Sequence, residues 1–66
     1  MEVLRGIQIK IARIHAGLKQ KELAQILSVN VNHLNMVENG KRESYKVRVL
    51  ATEYFNKLSI PTISKG

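Results

Sequence analysis

Two stretches constrain this chain more than any others. Gly17-Leu18-Lys19-Gln20-Lys21-Glu22-Leu23-Ala24-Gln25-Ile26-Leu27-Ser28-Val29 is followed a short way on by Glu38-Asn39-Gly40-Lys41. Leu23, Ala24 and Leu27 recur at spacings of one, three and four, which places them on one face of a helix. Ala24 is small where two helices must cross closely, and Val29 is an apolar plug just beyond a tight turn. Asn30 is suited to open a second helix by accepting a hydrogen bond from an orphan backbone amide. Leu34 and Val37 repeat the inward face three residues apart. Asn39-Gly40 supplies residue types that tolerate a left-handed exit from a helix. The segment therefore reads as two short helices held at an angle by a turn.

The rest of the chain reads as helix too. A first helix is expected from about Glu2 or Arg5 to His15, ended by Gly17; a second from Lys19 or Gln20 to Leu27; a third from Val31 to Val37. Ser44 is a good cap for a fourth, reaching about Lys57. Val47, Leu50, Ala51, Tyr54, Phe55 and Leu58 follow the rhythm of its core-facing side. The tail, residues 59–66, holds Pro61 and forms no confident element. These features imply an all-α fold, a small bundle of four to five helices in one domain over residues 1–66, with the paired helices at about 19–38. Sixty-six residues support one small core. There is no cysteine to staple it, and His15 and His33 lack the partners a metal site needs. No segment approaches the ~20 apolar residues of a membrane span, so a cytoplasmic protein is expected.

Enzyme chemistry finds no support. No nucleophile, base and orienting group occur in a recognisable arrangement, and no glycine-rich phosphate loop is present. No cofactor or small-molecule ligand is expected. Net charge is +6 and the isoelectric point is about 10.1, which suits a polyanionic partner. The placement of that charge is more telling. Lys19 and Lys21 open the second helix, while Lys41, Arg42, Lys46 and Arg48 follow the third, so two cationic clusters flank one helix.

From Ile9 to Phe55 the chain closely resembles the helix-turn-helix proteins of the phage Cro and repressor type, the Xre family. The shared pattern is carried by Arg13, Gly17-Leu18, Gln20, Glu22-Leu23-Ala24, Val29, Leu34, Glu38 and Gly40-Lys41. It departs from the pattern at Ser28, where a turn glycine is usual, and at Lys19, where a Thr or Ser cap is usual. The resemblance implies a lambda repressor-like domain that binds duplex DNA through the major groove. It brings Arg13 and Glu38 together as a partly buried ion pair and places Gln20 on a DNA phosphate. Lys19, Lys21, Asn39, Lys41, Arg42, Lys46 and Arg48 complete the expected phosphate set. It also implies a dimer on a two-fold operator, acting as a transcriptional repressor by occupancy.

The third helix is then the reading helix. With Leu34 and Val37 inward, Asn30, Val31, Asn32, His33, Asn35 and Met36 are left for base edges. Asparagine matches adenine through N6 and N7, and Val31 or Met36 can rest on a thymine methyl. The surface holds neither Arg nor Lys to grip guanine, which implies an A/T-leaning site. A second reading stays open, a protein-interaction module such as an antirepressor or adapter. It rests on helix one, where Ile9, Ala12 and Ala16 share one face and Leu4, Ile7, Ile11 and Ile14 share nearly the opposite one. The tail, through Ile60 and Ile63, a twin subunit or another protein are the three covers available for that second stripe.

Overall fold

The computed structural model describes residues 2–58, which form four helices: α1 (Gly6–His15), α2 (Gln20–Leu27), α3 (Val31–Glu38) and α4 (Tyr45–Leu58). Ile60 and Ile63 lie outside the described residues.

Local chemistry explains where the helices begin. At α1 and α2 the residue before the helix carries no capping side chain, and a residue one turn in reaches back instead. Gln8 Oε1 accepts from the Arg5 amide at 2.8 Å, and Glu22 Oε1 accepts from the Lys19 amide at 2.7 Å. Glu22 thereby makes good the missing cap at Lys19, and its charge also suits the positive end of the helix dipole. α3 and α4 carry ordinary caps: Asn30 Oδ1 accepts from the Asn32 amide at 2.8 Å and Ser44 Oγ from the Val47 amide at 3.3 Å.

The first three helices end in one way. After α1, the amides of Gly17 and Leu18 reach the carbonyls of Ile14 and Arg13; after α2, those of Ser28 and Val29 reach Gln25 and Ala24; after α3, those of Gly40 and Lys41 reach Val37 and Met36. Such a reversal needs one left-handed residue. Gly17 and Gly40 supply it, and Ser28 supplies it at φ 58°. Ser28 is the sole non-glycine at positive φ among the described residues, so the turn of the helix pair carries local strain that a glycine would not.

Leu23, Ala24 and Leu27 from α2 bury against Leu34 and Val37 from α3, Ile9 and Ala12 from α1, and Val47, Ala51 and Phe55 from α4. Tyr54 meets the Phe55 ring edge-on, with centroids 5.3 Å apart. Leu58, at the end of the apolar rhythm of α4, is exposed instead, and Leu50 and Tyr54 are only half-buried.

The stripe expected on helix one is divided. Leu4 precedes α1 and is 7% exposed, a member of the core rather than of an outer face. Its backbone explains why. The Leu4 amide donates to Thr52 Oγ1 at 2.8 Å, and Arg48 Nε donates to the Leu4 carbonyl at 2.8 Å. Two α4 side chains thus satisfy both backbone polar groups of a residue outside the helix, which lets its side chain turn inward. Ile7, Ile11 and Ile14 remain outside, at 54%, 41% and 59% exposure.

The start of α1 also rests directly on the end of α3. A Cβ on Gly6 would lie 2.0 Å from the Val37 carbonyl oxygen, so this contact is backbone against backbone and cannot yield by rotating a side chain. Gly6→Ala is expected to lower stability by about 1–3 kcal/mol, the cost of overpacking. A shift of the urea midpoint at unchanged m-value measures it, and an unshifted midpoint would mean that α1 moves away freely.

Candidate nucleic-acid interface

The angle between α2 and α3 is set around one buried charge. Glu38, the last residue of α3, has a side chain that is 0% exposed. Its Oε2 accepts from Arg13 Nε of α1 at 2.9 Å, and its Oε1 accepts from Arg13 Nη2 at 3.3 Å and from Gln20 Nε2 of α2 at 3.0 Å. Arg13 Nη1 donates to the Leu18 carbonyl at 2.9 Å, just before α2. One guanidinium therefore holds the end of α1, the approach to α2 and the end of α3. Among the described residues no buried side-chain polar atom lacks a partner, as a buried charge requires.

Gln20 opens α2 and has a second commitment. Its Oε1 accepts from Asn35 Nδ2 of α3 at 3.2 Å. The sequence places Gln20 among phosphate contacts and Asn35 among base readers, but nothing in their spacing shows that the two amides meet. Asn30 is part of the α3 cap through its side-chain oxygen. Asn32 and Asn35 are exposed on α3, and Val31, His33 and Met36 are half-buried.

Of the expected phosphate set, Lys19, Lys21, Asn39, Lys41, Arg42 and Lys46 are exposed. Lys46 lines a groove with Asn30 and His33, beside the start of α3. Arg42 borders a second groove at the other end of α3, shared with Arg5 and Gly6. Arg48 is half-buried and has a structural part that its spacing does not show: its Nε donates to the Leu4 carbonyl and its Nη1, at 2.6 Å, to Glu43 Oε2. Thr52 has no place among the residues that the sequence singles out; its hydroxyl donates to the Arg48 carbonyl at 2.7 Å while accepting from Leu4. Position 52 lies outside the apolar rhythm of α4, so the sequence gives no signal of it.

A family model described as helix-turn-helix matches residues 9–44. The chain belongs to the Xre/Cro-type helix-turn-helix family. The match runs from the buried Ile9 of α1 through the whole of α2 and α3 to Ser44, the cap of α4. It therefore contains every member of the Arg13–Glu38–Gln20–Asn35 cluster. With the family comes the coarse function, that of a DNA-binding helix-turn-helix regulator. No curated protein and no solved structure matches the chain. Among the described residues no helix is long and apolar enough to cross a membrane.

Removing Arg13 would strand a fully buried carboxylate. Arg13→Met is expected to cost about 3–5 kcal/mol, a large share of the stability of so small a domain. Chemical denaturation read by helical circular dichroism measures the loss, and a cost below about 1 kcal/mol, the range of surface pairs, would show that Glu38 finds water instead.

Proposed function

We propose that this protein is a sequence-specific transcriptional regulator of the Cro-like repressor kind, occupying an operator in duplex DNA through the major groove. The observation that carries the reading is the placement of charge about α3. Lys19 and Lys21 stand at the start of α2, Lys46 beside the start of α3, and Lys41 with Arg42 just past its end. Between Asn30 and Asn39 there is no Arg or Lys. Cations at the borders supply affinity for phosphates, and uncharged amides and apolar groups are left to read bases. Asparagine matched to adenine favours an A/T-leaning site. A dimer with half-sites about 34 Å apart would give two such short helices a site of useful length. In that role the protein works in the cytoplasm, on the nucleoid.

A second reading rests on Ile7, Ile11 and Ile14, which α1 leaves exposed in a row. Another protein is one occupant such a row would serve, and the chain would then act as an antirepressor or adapter, whereas a twin subunit there would make the row the dimer face of the first reading.

Selection of bound sequences from a random duplex pool tests the first reading, with titration at several salt concentrations. Replacing Lys41 and Arg42 together by alanine should weaken all duplexes similarly. The salt slope should fall by about 0.9 for each phosphate that the variant no longer neutralises. An unchanged slope removes both residues from the interface. Replacing Ile7 and Ile11 by serine should cost several kcal/mol if the tail covers the stripe, since each buried Ile is worth ~1.5–3 kcal/mol, and much less if it does not. Sedimentation and operator titration then separate the outcomes. A folded monomer that binds operator weakly marks a dimer face, whereas intact DNA binding with failed partner capture marks an adapter face.

A further inference from the structure

The amides of Gln20 and Asn35 form a relay whose direction is forced by the buried charge at its inner end. Glu38 in its ion pair with Arg13 can only accept hydrogen bonds. Gln20 must therefore turn its NH2 group inward to Glu38 Oε1, 3.0 Å away, and its oxygen outward. That oxygen can only accept, so Asn35 must turn its own NH2 group toward it, at 3.2 Å. An exposed asparagine amide normally flips between two nearly equivalent orientations. Here one of the two is selected. What remains at the surface is a defined pair, the Asn35 oxygen as acceptor and its second N–H as donor.

We propose that Asn35 is a specificity-determining residue of the major-groove surface, held in one amide orientation by Gln20 and Glu38 for a purine that offers a donor beside an acceptor, namely adenine. The proposal rests on the DNA-binding reading above. Asn35 Oδ1 accepts from adenine N6–H and the second Nδ2–H donates to N7. Guanine would set its O6 against Asn35 Oδ1, acceptor against acceptor. Turning the amide over would let Nδ2 donate to guanine O6 but set Oδ1 against the N7 acceptor, and it would break the bond to Gln20 and face two oxygens toward each other. The relay thus adds discrimination that a free amide lacks, and it removes ordering from the binding step. Asn32 stands earlier in α3, where residues lie deep in a groove, but its part in the α3 cap is made by its backbone amide alone. Gln20 and Glu38 are positioning residues in this scheme, and Asn35 is the one that meets the base.

The test uses the full chain, with Gln20→Met, Asn35→Ala and the double variant beside wild type. Methionine keeps the length of glutamine and leaves the Arg13–Glu38 pair in place. Duplexes selected by wild type are varied one base pair at a time and titrated in competition. Wild type should prefer adenine at one position by roughly 5- to 150-fold. Asn35→Ala should reduce that preference to near unity, and Gln20→Met should reduce it at the same position and no other. The double variant should be no worse than Asn35→Ala alone, because both changes act through one contact. A uniform loss of affinity in Gln20→Met with the preference intact overturns the proposal and leaves Gln20 a phosphate contact. An intact preference in Asn35→Ala overturns it as well. Side-chain amide NMR of the free protein supplies a readout that needs no DNA. Gln20→Met should shift the Asn35 NH2 resonances and raise their mobility, and unchanged resonances would show that no relay exists in solution. If wild type selects no sequence while those resonances do respond, the DNA reading has failed and the relay stands without a base to read.

Discussion

The Glu38 carboxylate is the interaction on which the other parts depend. A charge held away from water is tolerated only where donors surround it, and here Arg13 supplies two and Gln20 one. Those donors come from two places, the last turn of α1 and the first residue of α2, and Arg13 Nη1 also binds the Leu18 carbonyl in the link between them. Satisfying one carboxylate therefore sets where three helix ends lie. Apolar burial drives the collapse of the bundle but has no direction of its own. The ion pair adds direction, and in a domain with so small a core that is what keeps α3 at a defined angle to α2.

A second device works at the opposite end of the chain. Residues before α1 lie outside any helix and would ordinarily fray, yet Leu4 is held by Thr52 and Arg48 of α4 and enters the core. This clasp spans 48 positions of the sequence. It seats Gly6 against the Val37 carbonyl, at the same end of α3 that Glu38 terminates. Both devices therefore converge on the C-terminal end of α3, and Asn32 and Asn35 of α3 stay exposed.

On the proposed DNA-binding reading, that division lets a basic protein present an outer face of α3 that carries no charge. The cations nearest α3 lie before it and after it, where contact with phosphates would make little demand on geometry. Base discrimination demands more, because a bidentate contact fails when an amide is turned over. The Gln20–Asn35 bond joins these needs, since it transfers the orientation of a buried, rigid group to an exposed one.

Much of this was legible in the sequence, for physical reasons. Helix periodicity and caps are local, so Asn30, Ser44, Gly17 and Gly40 marked their elements, and Leu23, Leu27, Leu34, Val37 and Phe55 marked the core. The joining of Arg13 to Glu38 came from family resemblance, since no local rule links residues 25 positions apart. Ser28 could be read as a turn residue, but its positive φ follows from the three-dimensional path between α2 and α3. Three features were decided by tertiary structure alone. Leu4 falls on an outward stripe if helix one is extended back to it, and it is inward because it precedes the helix and is bonded by α4. Arg48 belongs by composition to a cationic cluster, and its guanidinium instead reaches Leu4 and Glu43. Asn35 is one of several asparagines in the sequence, and only the approach of α2 to α3 ties it to Gln20. In each case the deciding partner is a polar atom from a distant part of the chain, and periodicity carries no information about which side chains distant helices bring within hydrogen-bonding distance.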